Sequence, residues 1–335
     1  MNDSQPPSRR KILVIRFSSI GDIVLTTPVI RSLKQQLAET EVHVLVKKTY
    51  QEVLIGNPNI DKIHLYNGNL TAILQELQAE KFDYVVDLQN NARSHRVTRH
   101  LKCASKAFPK CNIRKFIFVR GKVNFLPLIH IVNRYYEAVK PLGVHNDNLG
   151  LDYYIPEIDN FDTQELPAKF ENGYVAVAVG AAHATKRIPA DKIAEIGSQL
   201  FKPMILLGDK NDFDAAENIV AQLDGKALNF CGKLSINQTA SLVAQSDCVL
   251  TADTGIMHIA AALRKPIASL WGNTVPEFGM YPYLTPDSPQ ARIFETPYLK
   301  CRPCSKLGFK KCPHGHYKCM NEIKTHEVAA WINEY

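Results

Sequence analysis

The apolar positions of this chain fall into short unbroken runs, each followed by a stretch with helical spacing. Lys11-Ile12-Leu13-Val14-Ile15 is the first run. It is too short for a helix and has no polar alternation, so it predicts a strand buried on both faces. The turn Ser18-Ser19-Ile20-Gly21-Asp22 follows, and then Val24, Leu25, Val29, Ile30, Leu33 and Leu37 recur at helical intervals. Pro28 lies near the helix start, where its missing N–H is tolerated. Residues 41–46 and 62–66 predict two more strands, residues 70–79 a helix, and residues 84–88 a fourth strand. Strand and helix alternate, as a doubly wound parallel sheet requires.

Residues 155–168 are proline-bearing and acidic and read as a linker, after which the pattern restarts. Strands are expected at 174–179, 203–207, 248–250 and 266–271, with helices over 190–200 and 212–223. The chain thus predicts two α/β domains, over 10–160 and 170–325. Ligands of such sheets bind beyond the carboxyl ends of the strands, and two facing halves would place the site in a cleft.

With 45% hydrophobic and 22% charged residues, the composition is that of an ordinary globular protein. No apolar run approaches the ~18 residues of a membrane span. Residues 1–11 are polar with no apolar core behind them, so a secretory signal is not expected and a cytoplasmic location is.

The net charge of +7 is unevenly distributed: residues 88–136 hold eleven Lys and Arg and no Asp or Glu. Arg93, Arg96 and His100 in this stretch share one helix face at their spacing. Nucleic acid, or an anionic substrate at a membrane surface, would suit such a patch; a solvated face needs no partner at all.

Four motifs carry candidate chemistry. Asp253-Thr254-Gly255, with His258 one turn on, follows the apolar run 248–250. A strand turning into a helix there leaves backbone N–H groups that favour a phosphate, although an ordinary capped helix would look the same. Asp22 in its glycine-containing turn is placed to act as a general base or as a helix cap. The loop Gly180-Ala181-Ala182-His183-Ala184-Thr185-Lys186-Arg187-Ile188-Pro189 offers small residues and two cations to a diphosphate. Gly208 with Asp209 and Asp212 ends the next strand, where a carboxylate would bond a ribose hydroxyl or cap a helix. The chain lacks Gly-x-Gly-x-x-Gly in its first turn and any P-loop, which weighs against dinucleotide dehydrogenases and P-loop enzymes.

Cys301, Cys304, Cys312 and Cys319, with His314 and His316 between them, have spacing compatible with a structural zinc site; unligated thiols packing a loop are the alternative. Cys231 and Cys248 sit in apolar contexts where a thiol packs as a small hydrophobe.

Taken together, Arg16-Phe17-Ser18-Ser19-Ile20-Gly21-Asp22, Thr185-Lys186-Arg187-Ile188-Pro189 and the segment from Asp253 to Leu263 resemble glycosyltransferase family 9 in order and spacing. These are the heptosyltransferases of lipopolysaccharide core synthesis, and the likeness extends over roughly residues 11–320. It implies a GT-B fold of two Rossmann-like domains facing across a cleft, the first binding acceptor and the second an ADP-activated heptose. It further implies inverting transfer with no metal in catalysis. By the same resemblance Asp22 is the base, and Lys186, Thr254 and Gly255 hold the pyrophosphate. Thr185 and His258 belong to the same donor site, with Asp253 near the donor sugar and Asp212 near the nucleoside. Gln89 and Arg93 would meet the acceptor, an anionic lipid-linked saccharide reached by peripheral contact with the cytoplasmic face of the inner membrane. A nucleic-acid-binding protein using residues 93–134 and the cysteine cluster is the competing reading. It lacks an aromatic stacking pattern and leaves Asp22 without a role, so no nucleic-acid partner is expected. Another GT-B nucleotide-sugar enzyme, such as an epimerase, is the third.

Overall fold

The computed structural model describes residues 9–335. Of the N-terminal segment expected not to be a secretory signal, residues 1–8 lie outside the described residues. The chain divides into two compact units, one of residues up to Lys110 with Ile131–Tyr154, the other of Cys111–His130 with Ile155–Tyr335.

In the first unit the Val-, Ile- and Leu-rich runs form strands β1 (Arg10–Ile15), β2 (Thr40–Lys47), β3 (Lys62–Tyr66) and β4 (Tyr84–Asp87). A fifth strand, β5 (Ala104–Ala107), was not expected. The order is β3-β2-β1-β4-β5 and every pairing is parallel. On one face Ile73 and Leu77 of helix Leu70–Ala79 pack with Leu13, Leu45, Phe82 and Val85. Each such fully buried side chain contributes about 1.5–3 kcal/mol. Helix Thr27–Gln36 buries Val29, Ile30 and Leu33. Its Arg31 holds the returning segment through Asp147 at 2.8 Å and an ion pair to Asp152. Those bonds place residues 131–154 with the first unit.

The second unit contains β6 (Val175–Ala178), β7 (Met204–Leu207), β8 (Ala227–Asn229), β9 (Cys248–Ala252), β10 (Ile267–Trp271) and β11 (Ala291–Glu295). Of these β8 and β11, the two edges, were not expected. All pair in parallel in the order β11-β10-β9-β6-β7-β8. Helix Thr325–Ile332 closes the core with Trp331 and Ile332, so the unit runs past the expected limit at 325 to the last residue.

Two stretches differ from the sequence reading. The expected linker 155–168 is fastened to the second unit: Asn237 donates to Asp159 at 3.0 Å, and Phe161 N–H donates to Ser241 Oγ at 2.9 Å. Residues 111–130, expected in the first domain, group with the second unit. Phe118 and Leu126 pack on Val275 and Phe278, and Lys122 donates to the carbonyls of Cys301 and Pro303. Apolar anchoring to a distant element has no local sequence signature.

Candidate functional site

In each sheet one neighbouring pair of strands marks where the strand order reverses, and ligands of open α/β sheets bind beyond the carboxyl ends of that pair. The pair is β1 and β4 in the first unit, and β6 and β9 in the second. Asp22, Gln89 with Arg93, the Lys186 loop and Asp253 follow those four strands, whereas the Gly208–Asp212 turn follows β7.

Beyond β1, the chain turns through Arg16–Ser19 into helix Ile20–Val24, where Asp22 sits in the first turn. Arg16 Nη2 lies 2.7 Å from Asp22 Oδ1. Ser19 donates to Asp22 Oδ2 from its backbone N–H at 3.2 Å and its hydroxyl at 3.1 Å. Burial alone would raise the carboxyl pKa, but Arg16 and the Ser19 bonds outweigh it, so Asp22 is held below the ordinary carboxylate range. Its side chain is 24% exposed, enough for a reacting hydroxyl to approach. Asp22 is the third-position member of this helix's capping box, accepting from the Ser19 N–H, and it remains a partly exposed anion.

Arg16 is itself held rigidly. Its Nε donates to Ser18 O at 2.9 Å, and its Nη1 donates to Leu88 O at 2.5 Å and Tyr135 Oη at 3.1 Å. The Leu88 bond ties the β1 turn to the β4 turn. Gln89 adds a second tie, its Oε1 accepting from Phe17 N–H at 2.8 Å. Buried Asp87 organises the β4 turn by accepting from the Gln89 and Asn90 N–H groups and from the Ser94 hydroxyl. Arg93 lies over the rings of Tyr66 and Phe17, at 4.9 and 5.4 Å. No carboxylate forms an ion pair with it among the described residues. Asp22, Gln89 and Arg93 thus gather around one loop, whereas Arg16 and Asp87 were not assigned from sequence. Arg16 directly follows the first strand and was the available signal.

In the second unit Lys186, from the loop after β6, reaches Asp253 after β9, with Nζ 2.6 Å from Oδ2. Thr274 donates to the same oxygen at 2.9 Å. Helix Gly255–Ala262 starts next to this pair, and no side chain caps it; Thr254 directs its hydroxyl to Thr251, 3.0 Å away. The capped-helix alternative therefore fails at Thr254. The first N–H groups and the helix dipole remain available to an anion. His258 is buried within the helix at 2% exposure.

Thr185 is buried. Its hydroxyl accepts from Phe309 N–H at 2.8 Å, which fastens the Lys186 loop to the cysteine-bearing segment. The loop after β10 is fastened to the same segment. Arg302 donates to Thr274 O at 3.0 Å, and Cys304 N–H donates to Asn273 O at 3.1 Å. The second of these bonds joins two backbones, so it does not depend on the cysteine thiol.

Asp212 is buried, and its Oδ2 accepts from Asp209 N–H at 3.0 Å while Arg187 Nη2 lies 3.2 Å from its Oδ1. Burial raises its pKa, more than the backbone bond and Arg187 lower it. A Cβ on Gly180 would overlap Asp212 Oδ2, so only glycine allows this approach. Beside this pair opens a pocket of about 440 Å³, lined among others by Val179, Ala184, Arg187, Asp212, Tyr317 and Asn321. That volume suits a nucleoside-sized ligand.

The four C-terminal cysteines are gathered only in part. Cys304 Sγ donates to Cys301 O at 3.1 Å, and His316 Nε2 lies 4.0 Å from Cys301 Sγ. Burial, with Cys301 beside it, pushes the Cys304 thiol up to about 12. Burial would raise Cys312 too, but the turn's N–H groups outweigh it and hold that thiol low. The donor chemistry suits zinc, but the sulfurs would have to draw closer to share one ion.

Among the described residues, His43, His64 and Glu80 form the one His/Cys/Asp/Glu group whose donor atoms all lie within 4.8 Å of one another. The sequence reading missed it, because His43 and His64 sit on separate strands. Lys11 and Lys62 both bind the Glu80 carboxylate, at 2.9 and 2.5 Å, and two ammonium groups there oppose a metal cation. His43 Nδ1 and His64 Nε2 bond each other at 3.0 Å, which makes the group a structural network.

The described residues contain no helix long and apolar enough to cross a membrane.

Known proteins share this fold along nearly the whole chain. Lipooligosaccharide heptosyltransferase 2 of Haemophilus ducreyi is 25% identical, covering 97% of this chain and 99% of that protein. A solved glycosyl transferase family 9 structure from Veillonella parvula superposes with a TM-score of 0.76 at 22% identity, covering 99% of this chain and 100% of the other. The ADP-heptose lps heptosyltransferase II of E. coli gives a TM-score of 0.74 at 20% identity, covering 97% and 98%. These likenesses show the GT-B fold that the motifs implied. Residues 70–318 match the sequence model of glycosyltransferase family 9 (heptosyltransferase), and the chain is a glycosyltransferase belonging to that family.

Proposed function

We propose that this protein transfers a heptose, or a closely related sugar, from an ADP-sugar to a lipopolysaccharide-core acceptor of the lipid A–Kdo type. The observation that carries this reading is the Lys186–Asp253 pair beside an uncapped helix start, a built-in receptor for a diphosphate leaving group. The names of the Haemophilus and E. coli relatives supply the sugar, the nucleotide and the class of acceptor.

Asp22 takes the proton of the acceptor hydroxyl as its oxygen attacks the anomeric carbon. The bond from that carbon to the diphosphate breaks, and ADP departs with the electron pair. Configuration inverts because attack and departure occur on opposite faces. Lys186 and the N–H groups at Thr254 and Gly255 neutralise the charge that develops on the diphosphate, so no catalytic metal is required. On binding, the diphosphate competes with Asp253 for Lys186, and Asp253 is released toward the donor sugar. Thr185 and His258 shape the loop and helix that present these groups. Asp212 and the adjoining pocket hold the nucleoside. Gln89 and Arg93 meet the acceptor, Arg93 through a guanidinium with no ion-pair partner among the described residues.

The enzyme acts as a peripheral protein on the cytoplasmic face of the inner membrane, and nucleic acid is no partner. Cys301, Cys304, Cys312 and Cys319 would hold a structural zinc, with His314 and His316 as alternates, which would brace the segment that fastens Thr185. Stoichiometric zinc in purified protein supports this, and its absence removes it.

The test incubates the protein with ADP-heptose and a Kdo-bearing lipid A acceptor in the presence of a chelator. Expected is transfer that survives chelation and gives a product of inverted anomeric configuration. No transfer from any nucleotide sugar, alongside tight salt-sensitive binding of nucleic acid, would overturn the reading.

A further inference from the structure

Residues 111–130 present two opposed faces. The inner face is anchored by Phe118 and Leu126 against Val275 and Phe278, and by His130 Nε2, 2.8 Å from Tyr281 O. The outer face carries exposed apolar residues: Leu128 is 87% exposed, Ile113 78%, Phe125 60% and Phe116 58%, the last with the Arg120 guanidinium 6.0 Å from its ring centroid. Seven of the seventeen exposed large hydrophobic residues among those described fall between Ile113 and Ile129. Scattered singly such residues need no explanation, but a cluster on a rigidly anchored segment marks an interaction surface.

Charge selects the partner. Residues 111–130 hold four Lys and Arg, namely Arg114, Lys115, Arg120 and Lys122, and no acidic residue. Arg114 and Arg120 are exposed, and Lys122 is half committed to the Cys301 and Pro303 carbonyls. A second copy of the chain would set these cations against each other with no carboxylate of this run to answer them. A nucleic acid would answer the charge but leave Ile113, Leu128 and Ile129 without an apolar partner. An anionic bilayer answers both, with phosphates for the cations and an acyl boundary for the side chains.

We propose that residues 112–130 dock this protein on an anionic lipid bilayer, with Phe116, Phe125 and Leu128 entering the headgroup boundary and the neighbouring lysines and arginines lying on lipid phosphates. This sharpens the membrane-surface part of the proposed function and rests on it only for the reason such docking would be useful. The anchored inner face matters, because it holds the inserted side chains at a fixed place on the second unit.

The experiment sediments the full-length protein with vesicles of phosphatidylcholine mixed with phosphatidylglycerol, and with phosphatidylcholine alone. Expected is salt-sensitive binding to the mixed vesicles, weaker by about tenfold or more on the neutral ones. The triple variant Phe116→Ser/Phe125→Ser/Leu128→Ser should lose about tenfold or more of the binding while keeping its melting temperature and its transfer to a water-soluble, deacylated acceptor. In a second variant, Leu128→Trp, the new indole emission should shift to the blue on mixed vesicles. Equal binding by the triple variant, or no binding by the parent protein, would overturn the proposal. So would self-association that the triple variant abolishes without any vesicle binding. Vesicle binding in the absence of heptose transfer would support docking and sink the proposed donor and acceptor, so the two failures are separable.

Discussion

Arg16 and Asp22 form an ion pair at 2.7 Å across the turn that leaves β1, and the guanidinium is tied in addition to Leu88 O and Tyr135. The pair fixes both the position and the ionisation of the carboxylate assigned as base. Because Asp22 is held below its ordinary pKa, it is ionised across the neutral range. Replacing Arg16 by Lys keeps the charge but loses the fork that reaches four partners at once, Asp22, Ser18 O, Leu88 O and Tyr135 Oη. We expect Arg16→Lys to lower kcat about tenfold or more. The acid limb of the pH profile should move to higher pH, because a carboxylate that loses this partner titrates nearer its usual value. An acid limb that stays in place would show that Arg16 does not set the ionisation of Asp22.

Lys186 is expected to act on the leaving group. Lys186→Ala should lower kcat about 10²–10³-fold, the effect of removing one stabiliser of developing charge. It should also weaken inhibition by ADP, since the same ammonium binds the product diphosphate. Steady-state kinetics with ADP as inhibitor measure both. Unchanged ADP inhibition would move the diphosphate away from Lys186.

Gly180 is a space requirement. A methyl group there would overlap Asp212 Oδ2, so Gly180→Ala must displace the carboxylate or the loop. A loss of about 1–3 kcal/mol is expected, read as a lower melting temperature, together with a raised KM for the donor. A raised KM with no loss of stability would indicate that the loop yields and only the donor pocket is disturbed.

The buried His43–His64 pair makes the first unit sensitive to acid. Burial lowers both pKa values below the ordinary 6.5; His64 and Lys11 add to this at His43, and Lys62 at His64, while Glu41, Glu76 and Glu80 oppose it without prevailing. A group whose native pKa is depressed contributes its stability above the unfolded value and loses it as pH falls through the native one. Stability should therefore be level above about pH 6.5 and decline below it, by up to ~1.4 kcal/mol per pH unit for each proton taken up. Denaturant unfolding at several pH values, compared with the double variant His43→Gln/His64→Gln, measures this. An equal slope in the variant would place the acid sensitivity elsewhere.

Much of this was legible in the chain because buried parallel strands are written as continuous Val, Ile and Leu runs. Ile12 to Ile15, Val42 to Val46 and Ile205 to Leu207 mark themselves in that way. The edge strands do not. Ala104–Ala107 is Ala-Ser-Lys-Ala with three exposed residues, held by pairing to β4 and by no apolar signal of its own. The motif residues were visible because they follow those strands, and Asp22, Lys186 and Asp253 stand at the points where strand order reverses. Their partners were less visible. Arg16 was read only as part of a motif, and Thr185 carried no mark that its hydroxyl would be taken by Phe309, far along the chain. Nor did the sequence show that residues 111–130 would anchor on Phe278, because that contact depends on the fold of the second unit.

The central claim is that Asp22 removes the acceptor proton, and Asp22→Asn tests it most directly. The amide keeps the size of the side chain and a hydrogen-bond acceptor for Ser19, but it cannot take up a proton at neutral pH. Single-turnover transfer from ADP-heptose to a Kdo-bearing acceptor should fall about 10²–10⁴-fold, while the affinity for ADP stays unchanged. Transfer at the parent rate in the Asp22→Asn protein would contradict the account.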